Sequence, residues 1–197
     1  MSSVQDVTAR DWPDENDILQ GFRLIDDRLV GDSESFALRA LRERLAGELF
    51  GDAERVEPTL GSSFNLVTQA GDATTTTGRE TLLQGFRRQA AAKGGVMMWI
   101  HFEDLVVEGD SIAGQGTLNT MMTGSLAARA GRSDVAPEDL CLTTVPVAFF
   151  IRSAAGVMTS EVLYMNVEAS SSSVRRNGTM PDPARFLALV DRRDSTV

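Results

Sequence analysis

The sequence predicts an α+β fold: a cone-shaped, curved, largely antiparallel sheet with helices packed on its concave face. Three features point there. Helical periodicity runs through the first quarter of the chain, a second helical stretch follows a short strand, and two long strand pairs joined by tight turns fill the later half. Strands that follow one another through tight turns pair antiparallel, and helices packed on them cover one face.

Residues 14–30 carry Ile18, Phe22, Ile25 and Leu29 at helical spacing, with Asp17, Arg23, Asp26 and Arg28 on the wet side. After "GDSES" the period resumes with Leu38, Leu41, Leu45 and Leu49, Ser35 serving as N-cap and Gly51 as the stop. Asp52 caps a short third helix, "AERVEPTL", that buries Val56 and Leu60 and is kinked or ended early by Pro58, which has no backbone donor. "SSFNLVTQ" reads as a short strand, "AGD" as a turn and threonines 74–77 as extended backbone. "RETLLQGFRRQAAAK" is again helical, with Leu82, Leu83, Phe86 and Ala90 inward and Gly94 and Gly95 at its end.

A hairpin then pairs residues 96–107 with 112–123 around "EGDS", where Gly109 can take a positive φ. Residues 124–140 are small and polar, a loop with a helical turn near 126–129 and a candidate lid. The second hairpin pairs residues 142–152 with 157–168 around "SAAG". "ASSSSVRRNGTMPDP" has the composition of a flexible connector, and "DPARFLALVDRR" is a terminal helix that buries Phe186, Leu187 and Val190.

The 197 residues suit one domain, with 42% hydrophobic and 24% charged residues, as in ordinary globular chains. A net charge of -9 without a basic cluster argues against nucleic acid and anionic membranes as partners. One cysteine, Cys141, and one histidine, His101, cannot build a disulfide or a zinc site, so no metal is expected. "MSSVQDVTARDWPDEND" lacks the basic start and apolar run of a secretory signal, and no stretch reaches the ~20 apolar residues of a membrane span. A cytoplasmic location is the expectation. A curved sheet closed by helices leaves a hollow in which a small apolar molecule fits.

The runs "GDAERVEPTLGSSFNLVTQAGDATTTTGRETLLQGFRRQ", "LVVEGDSIAG" and "AAGVMTSEVLYMN" resemble, in order and spacing, the nuclear transport factor 2-like superfamily in its SnoaL-like polyketide cyclase and ketosteroid isomerase-like branch. The resemblance covers residues 35–168 and leaves the helices at 14–30 and 182–193 as extensions of a single domain over 1–197. It implies the α+β cone, homodimers across the outer sheet face, and acid–base chemistry without a cofactor by an isomerase, cyclase or dehydratase. The isomerases' base, tyrosine and oxyanion aspartate fall here on Thr68 or Gln69, Arg44 and Ala148, so their familiar route is not retained. The same fold also serves as a non-catalytic ligand-binding or dimerisation module.

Strand alternation, registered on the resemblance, sends Met98, Ile100 and Phe102 toward the cone and Trp99, His101 and Glu103 outward. On the last strand Thr159, Glu161, Leu163 and Met165 face in, while Ser160, Val162, Tyr164 and Asn166 face out. With Leu118, Phe64, Leu66 and Thr68, the inward residues are the expected lining of a substrate pocket. Glu161 among apolar neighbours is the first candidate acid or base, because burial raises a carboxyl's pKa; the other reading pairs it with Arg44 or Arg152. His101, Tyr164 and Asn166 are the candidate assistants, with interface or surface roles as the alternative.

Overall fold

The computed structural model describes residues 5–6, 12–31 and 35–194. The polar leader and the "GDSES" connector fall largely outside them. The described residues form α1 (Glu15–Ile18), α2 (Gln20–Gly31), α3 (Phe36–Glu48), α4 (Ala53–Val56) and α5 (Arg79–Ala90), followed by α6 (Gly124–Arg129) and α7 (Pro183–Asp194). The strands are β1 (Gln5–Asp6), β2 (Leu60–Ala70), β3 (Ala73–Gly78), β4 (Val96–Glu108) and β5 (Ser111–Thr123), then β6 (Leu140–Ala154), β7 (Val157–Met165) and β8 (Ser171–Arg175). This is the α+β architecture that the pattern predicts. Among the described residues no helix is long and apolar enough to cross a membrane.

One mixed, mostly antiparallel sheet runs β3-β2-β7-β6-β5-β4. Only β2–β7 and β1–β8 are parallel pairs among the described strands. The long β6 lies against β5 on one side and divides its other side, pairing β8 through residues 140–144 and β7 through residues 147–154. The expected flexible connector is thus partly a strand. Its Val174 is buried with Ala127, Val135 and Cys141, and this apolar anchor together with an open strand edge outweighs the serine-rich composition around it.

Local chemistry sets the helix ends. Ser35 Oγ accepts the Leu38 N–H at 3.3 Å and an Asp52 carboxylate oxygen accepts the Arg55 N–H at 3.1 Å, as the capping pattern requires. Gly51 ends the turn after α3 at φ +82, and a Cβ there would meet the Phe86 carbonyl oxygen at 2.5 Å. Two expectations shift. The single helix over 14–30 is broken at Leu19 into α1, which opens with an Asp14–Asp17 capping box, and α2. Around Pro58 the third helix becomes a 3₁₀ turn over Glu57–Thr59, so Leu60 starts β2 rather than completing a helical face.

The free edge of β4 is not left bare. Gln20 donates to the Phe102 carbonyl at 3.0 Å and accepts the Phe102 N–H at 2.9 Å, imitating a neighbouring strand, and the Met98 N–H donates to the Leu49 carbonyl at 3.0 Å. Immediately after Phe102 a bulge inserts Glu103, which swaps the faces of the residues beyond it. On β5, Gly116 lets the β4 backbone at His101 come close, and Gly114 makes room for aromatic packing, since a Cβ there would meet the Phe149 ring at 2.6 Å. Phe149 instead packs against Phe102, with ring centroids 5.7 Å apart.

Candidate functional site

The pairing register sorts the expected lining residues onto one face. Leu66 lies opposite Glu161 and Thr68 opposite Leu163; Leu163 in turn faces Phe149, and Met165 faces Val147. Across the sheet, Ile100 pairs with Leu118, Met98 with Thr120 and Phe102 with Gly116. Phe64 belongs to the same side, its ring lying 5.5 Å from the Arg44 guanidinium. Phe64 and Phe102 are buried in the core, whereas Leu66, Thr68, Met98, Ile100, Leu118, Leu163 and Met165 are half-buried. The inner face therefore carries a half-open apolar strip.

At one end of that strip sits a buried ion cluster. Glu161, 6% exposed, places Oε2 2.5 Å from Arg44 Nη1, and Arg44 Nε donates to Glu48 Oε1 at 2.7 Å. The Glu161 oxygen lies off the N–H direction, making this a charge contact rather than a directed hydrogen bond. Nη1 also lies 3.6 Å from the Met158 sulfur.

Burial by itself would lower the Arg44 pKa, but Glu161 and Glu48 outweigh it and hold the guanidinium firmly charged. Glu48 moves the other way. Burial raises its pKa, Arg44 opposes that, and the nearby Glu161 charge adds to the rise. Two carboxyls thus share one cation, and the cluster favours retention of a proton on Glu48.

The alternative sequence reading of Glu161, a pair with Arg44, is the arrangement observed. Glu48 was absent from the expectations. Its signal was the i,i+4 spacing of Arg44 and Glu48 beside the leucine stripe of α3, where charges have no solvent to face.

The other three candidates lie elsewhere. His101 is half-buried on the outer face, in a hollow of about 250 Å³ with Trp12, Pro13, Asp17, Trp99, Thr117, Asn119 and Leu142. Tyr164 is 49% exposed on the outer face, beside a depression of about 390 Å³ that also involves Gln69, Gln115 and Asn166. Asn166 ends β7: its N–H donates to the Pro146 carbonyl at 2.9 Å and its side chain accepts the Ala169 N–H at 3.2 Å. The inward and outward assignments match the alternation, but the fold does not gather Glu161, His101, Tyr164 and Asn166 at one point. Nor do three His, Cys, Asp or Glu side chains cluster as metal ligands among the described residues.

The isomerase-equivalent positions are equally dispersed. Thr68 faces the strip, Arg44 anchors the ion cluster, and Gln69 and Ala148 lie on the outer face opposite Tyr164.

No family model and no curated relative matches this sequence. Solved structures do match. A protein described as a SnoaL-like polyketide cyclase from Shewanella denitrificans OS-217 superposes with a TM-score of 0.53 at 11% identity, over 68% of this chain and 93% of that one. An epoxide hydrolase of the LEH-like type from M. tuberculosis gives 0.47 at 14% identity, over 82% and 96%. A protein described as a polyketide cyclase from Xanthomonas campestris pv. campestris gives 0.48 at 14%, over 68% and 92%. The strand order, the helix-covered inner face and the first of these superpositions show that the chain shares the α+β fold of the Shewanella denitrificans protein.

Proposed function

We propose that this chain is a small-ligand-binding module of the cone fold, with the inner apolar strip as its binding surface and no acid–base chemistry at Glu161. One observation carries the reading: the inward carboxylate is held in an ion cluster with Arg44 and Glu48. A base must be free to approach and accept a proton from substrate, and a buried carboxylate held against a fixed guanidinium is already engaged by its neighbours. The strip itself offers Leu66, Leu118, Leu163, Met165 and Ile100, half-buried and apolar, with Thr68 as a polar group for orientation.

Mass spectrometry of small molecules released from the purified chain tests this. An apolar compound is expected from the native protein and not from Leu163→Arg, which places a charge in the strip. Equal recovery from both would remove the strip as the site.

The surplus carboxyl supports a second reading, a cofactor-independent lyase, isomerase or cyclase in which the cluster exchanges its proton with an apolar substrate. Under that reading Glu161→Gln abolishes turnover of the recovered compound and leaves its binding nearly unchanged.

The outer face fits self-association. Val106, Phe150 and Tyr164 are exposed there, at 56%, 36% and 49%, on neighbouring strands of one sheet face. We expect a homodimer, which Phe150→Glu turns into a monomer by sedimentation velocity.

A further inference from the structure

Away from both the strip and this apolar patch, the hollow at His101 gathers groups that the ligand reading does not use. Its walls include Trp12, from the segment before α1, and Trp99 on β4, the two tryptophans of the chain. Both are largely buried, at 8% and 5% exposure. The polar lining divides into engaged and unengaged groups. Asn119 is fully committed: its amide donates to the Thr117 carbonyl at 3.1 Å and to the Thr117 hydroxyl at 3.3 Å, and its oxygen accepts from Thr144 at 2.8 Å. It therefore fixes Thr117.

Asp17 uses one carboxylate oxygen to accept the Asp14 N–H at 3.0 Å, and among the described residues the other oxygen has no partner. The His101 side chain has no hydrogen bond or ion pair to any described residue, and none joins it to Asp17 although both line the same hollow. An acid and an imidazole that share a space without touching are separated by a gap a ligand can bridge.

The chemistry of the lining selects the ligand. A carboxylate oxygen, an imidazole nitrogen and a hydroxyl can each accept a hydrogen bond, and indole faces attract positive charge. A volume of about 250 Å³ admits a molecule of a few heavy atoms. We propose that this hollow is a second binding site, specific for a small protonated amine, whose N–H groups donate to Asp17 and His101 while its alkyl part lies against Trp12 and Trp99. The site depends on no chemistry at Glu161 and no occupant of the inner strip.

Because both tryptophans line the hollow, intrinsic fluorescence of the full chain reports its occupancy. Titration with propylammonium chloride at constant ionic strength should give a saturable change in emission, and 1-propanol or sodium propanoate should not. Asp17→Asn keeps an oxygen to accept the Asp14 N–H and removes the charge, so α1 stays capped while propylammonium affinity falls by about tenfold. His101→Gln should weaken it about threefold. Leu163→Arg, in the inner strip, should leave the titration unchanged. Three results would each overturn the proposal: no saturable response, an equal response to 1-propanol, or unaltered affinity in Asp17→Asn.

Discussion

The inner-face ion cluster and the outer hollow each bring a carboxylate and a basic side chain into one neighbourhood, and they differ in burial and contact. On the inner face Arg44, Glu48 and Glu161 are buried and in contact. On the outer face Asp17 and His101 are solvated, share a hollow and do not touch. Burial forces charges to pair, because an unpaired ion in an apolar medium is prohibitively costly, whereas water lets an acid and a base stand apart at little cost. The buried cluster is therefore a piece of architecture, and the wet pair is where a ligand can be received. A carboxylate's inward direction is consequently a weaker sign of catalysis than it first looks.

The comparison breaks most visibly at Arg44. Arg44→Met would leave Glu48 and Glu161 buried side by side with no cation, and removing one partner of a buried pair costs about 3–5 kcal/mol. Urea denaturation at neutral pH should show that loss. A change below about 1 kcal/mol would mean that the carboxyls reach water and that the cluster is not buried in solution.

Next in size is the edge clamp at Gln20, which covers the free edge of β4 beside His101. Gln20→Ala frees both the N–H and the carbonyl of Phe102, and two part-buried hydrogen bonds amount to about 1–3 kcal/mol. Faster amide exchange confined to β4 should accompany the loss, since only the edge strand is uncovered.

Much of this layout was legible in the sequence. Period-two alternation, with its register taken from the family resemblance, puts Ile100, Glu161 and Leu163 on one face and His101 and Tyr164 on the other, because a strand offers only two faces. The capping roles of Ser35 and Asp52 were equally readable, each being a local event within one turn. What escaped depends on distant partners. Nothing in the "ASSSSVRRNG" segment announces a strand; β8 exists because the first part of β6 has an open edge and Val174 a cluster to join. The hollow around His101 needs Trp12 and Asp17, more than eighty residues away in the chain, from a segment that the family resemblance does not cover. Glu161 was visible as an inward acid, but Glu48 becomes its neighbour only through the packing of α3 on the sheet.

Proton linkage gives a third test of the buried cluster. Burial and then Glu161 raise the Glu48 pKa above its ordinary 4.5 in spite of Arg44, so the folded state holds that proton more tightly than the unfolded state. The resulting stabilisation is complete below about pH 4.5 and is lost as the pH rises through the folded value. Stability of the native chain relative to Glu48→Gln should thus decline from pH 4.5 toward neutrality. A flat difference would show that Glu48 titrates normally. Glu161→Gln should soften the same slope, since it removes the second carboxylate, and should alter stability at pH 7 by only about 1 kcal/mol because Arg44 keeps Glu48.

The smallest effect is the most discriminating for the outer site. The His101 side chain makes no hydrogen bond or ion pair with a described residue and is only half-buried, so truncation to alanine removes little that the fold uses. Its neighbours on β4, Trp99 and Phe102, carry the packing on the two faces. His101→Ala should therefore change unfolding free energy by no more than about 0.5 kcal/mol, as for surface substitutions away from special contacts. A loss of about 2 kcal/mol would mean that the imidazole supports the sheet, and an assigned role in ligand capture would then have to be shared with a structural one. Retained stability with weakened propylammonium binding separates the two: a group that the fold can lose without cost and the ligand cannot is held in place for the ligand.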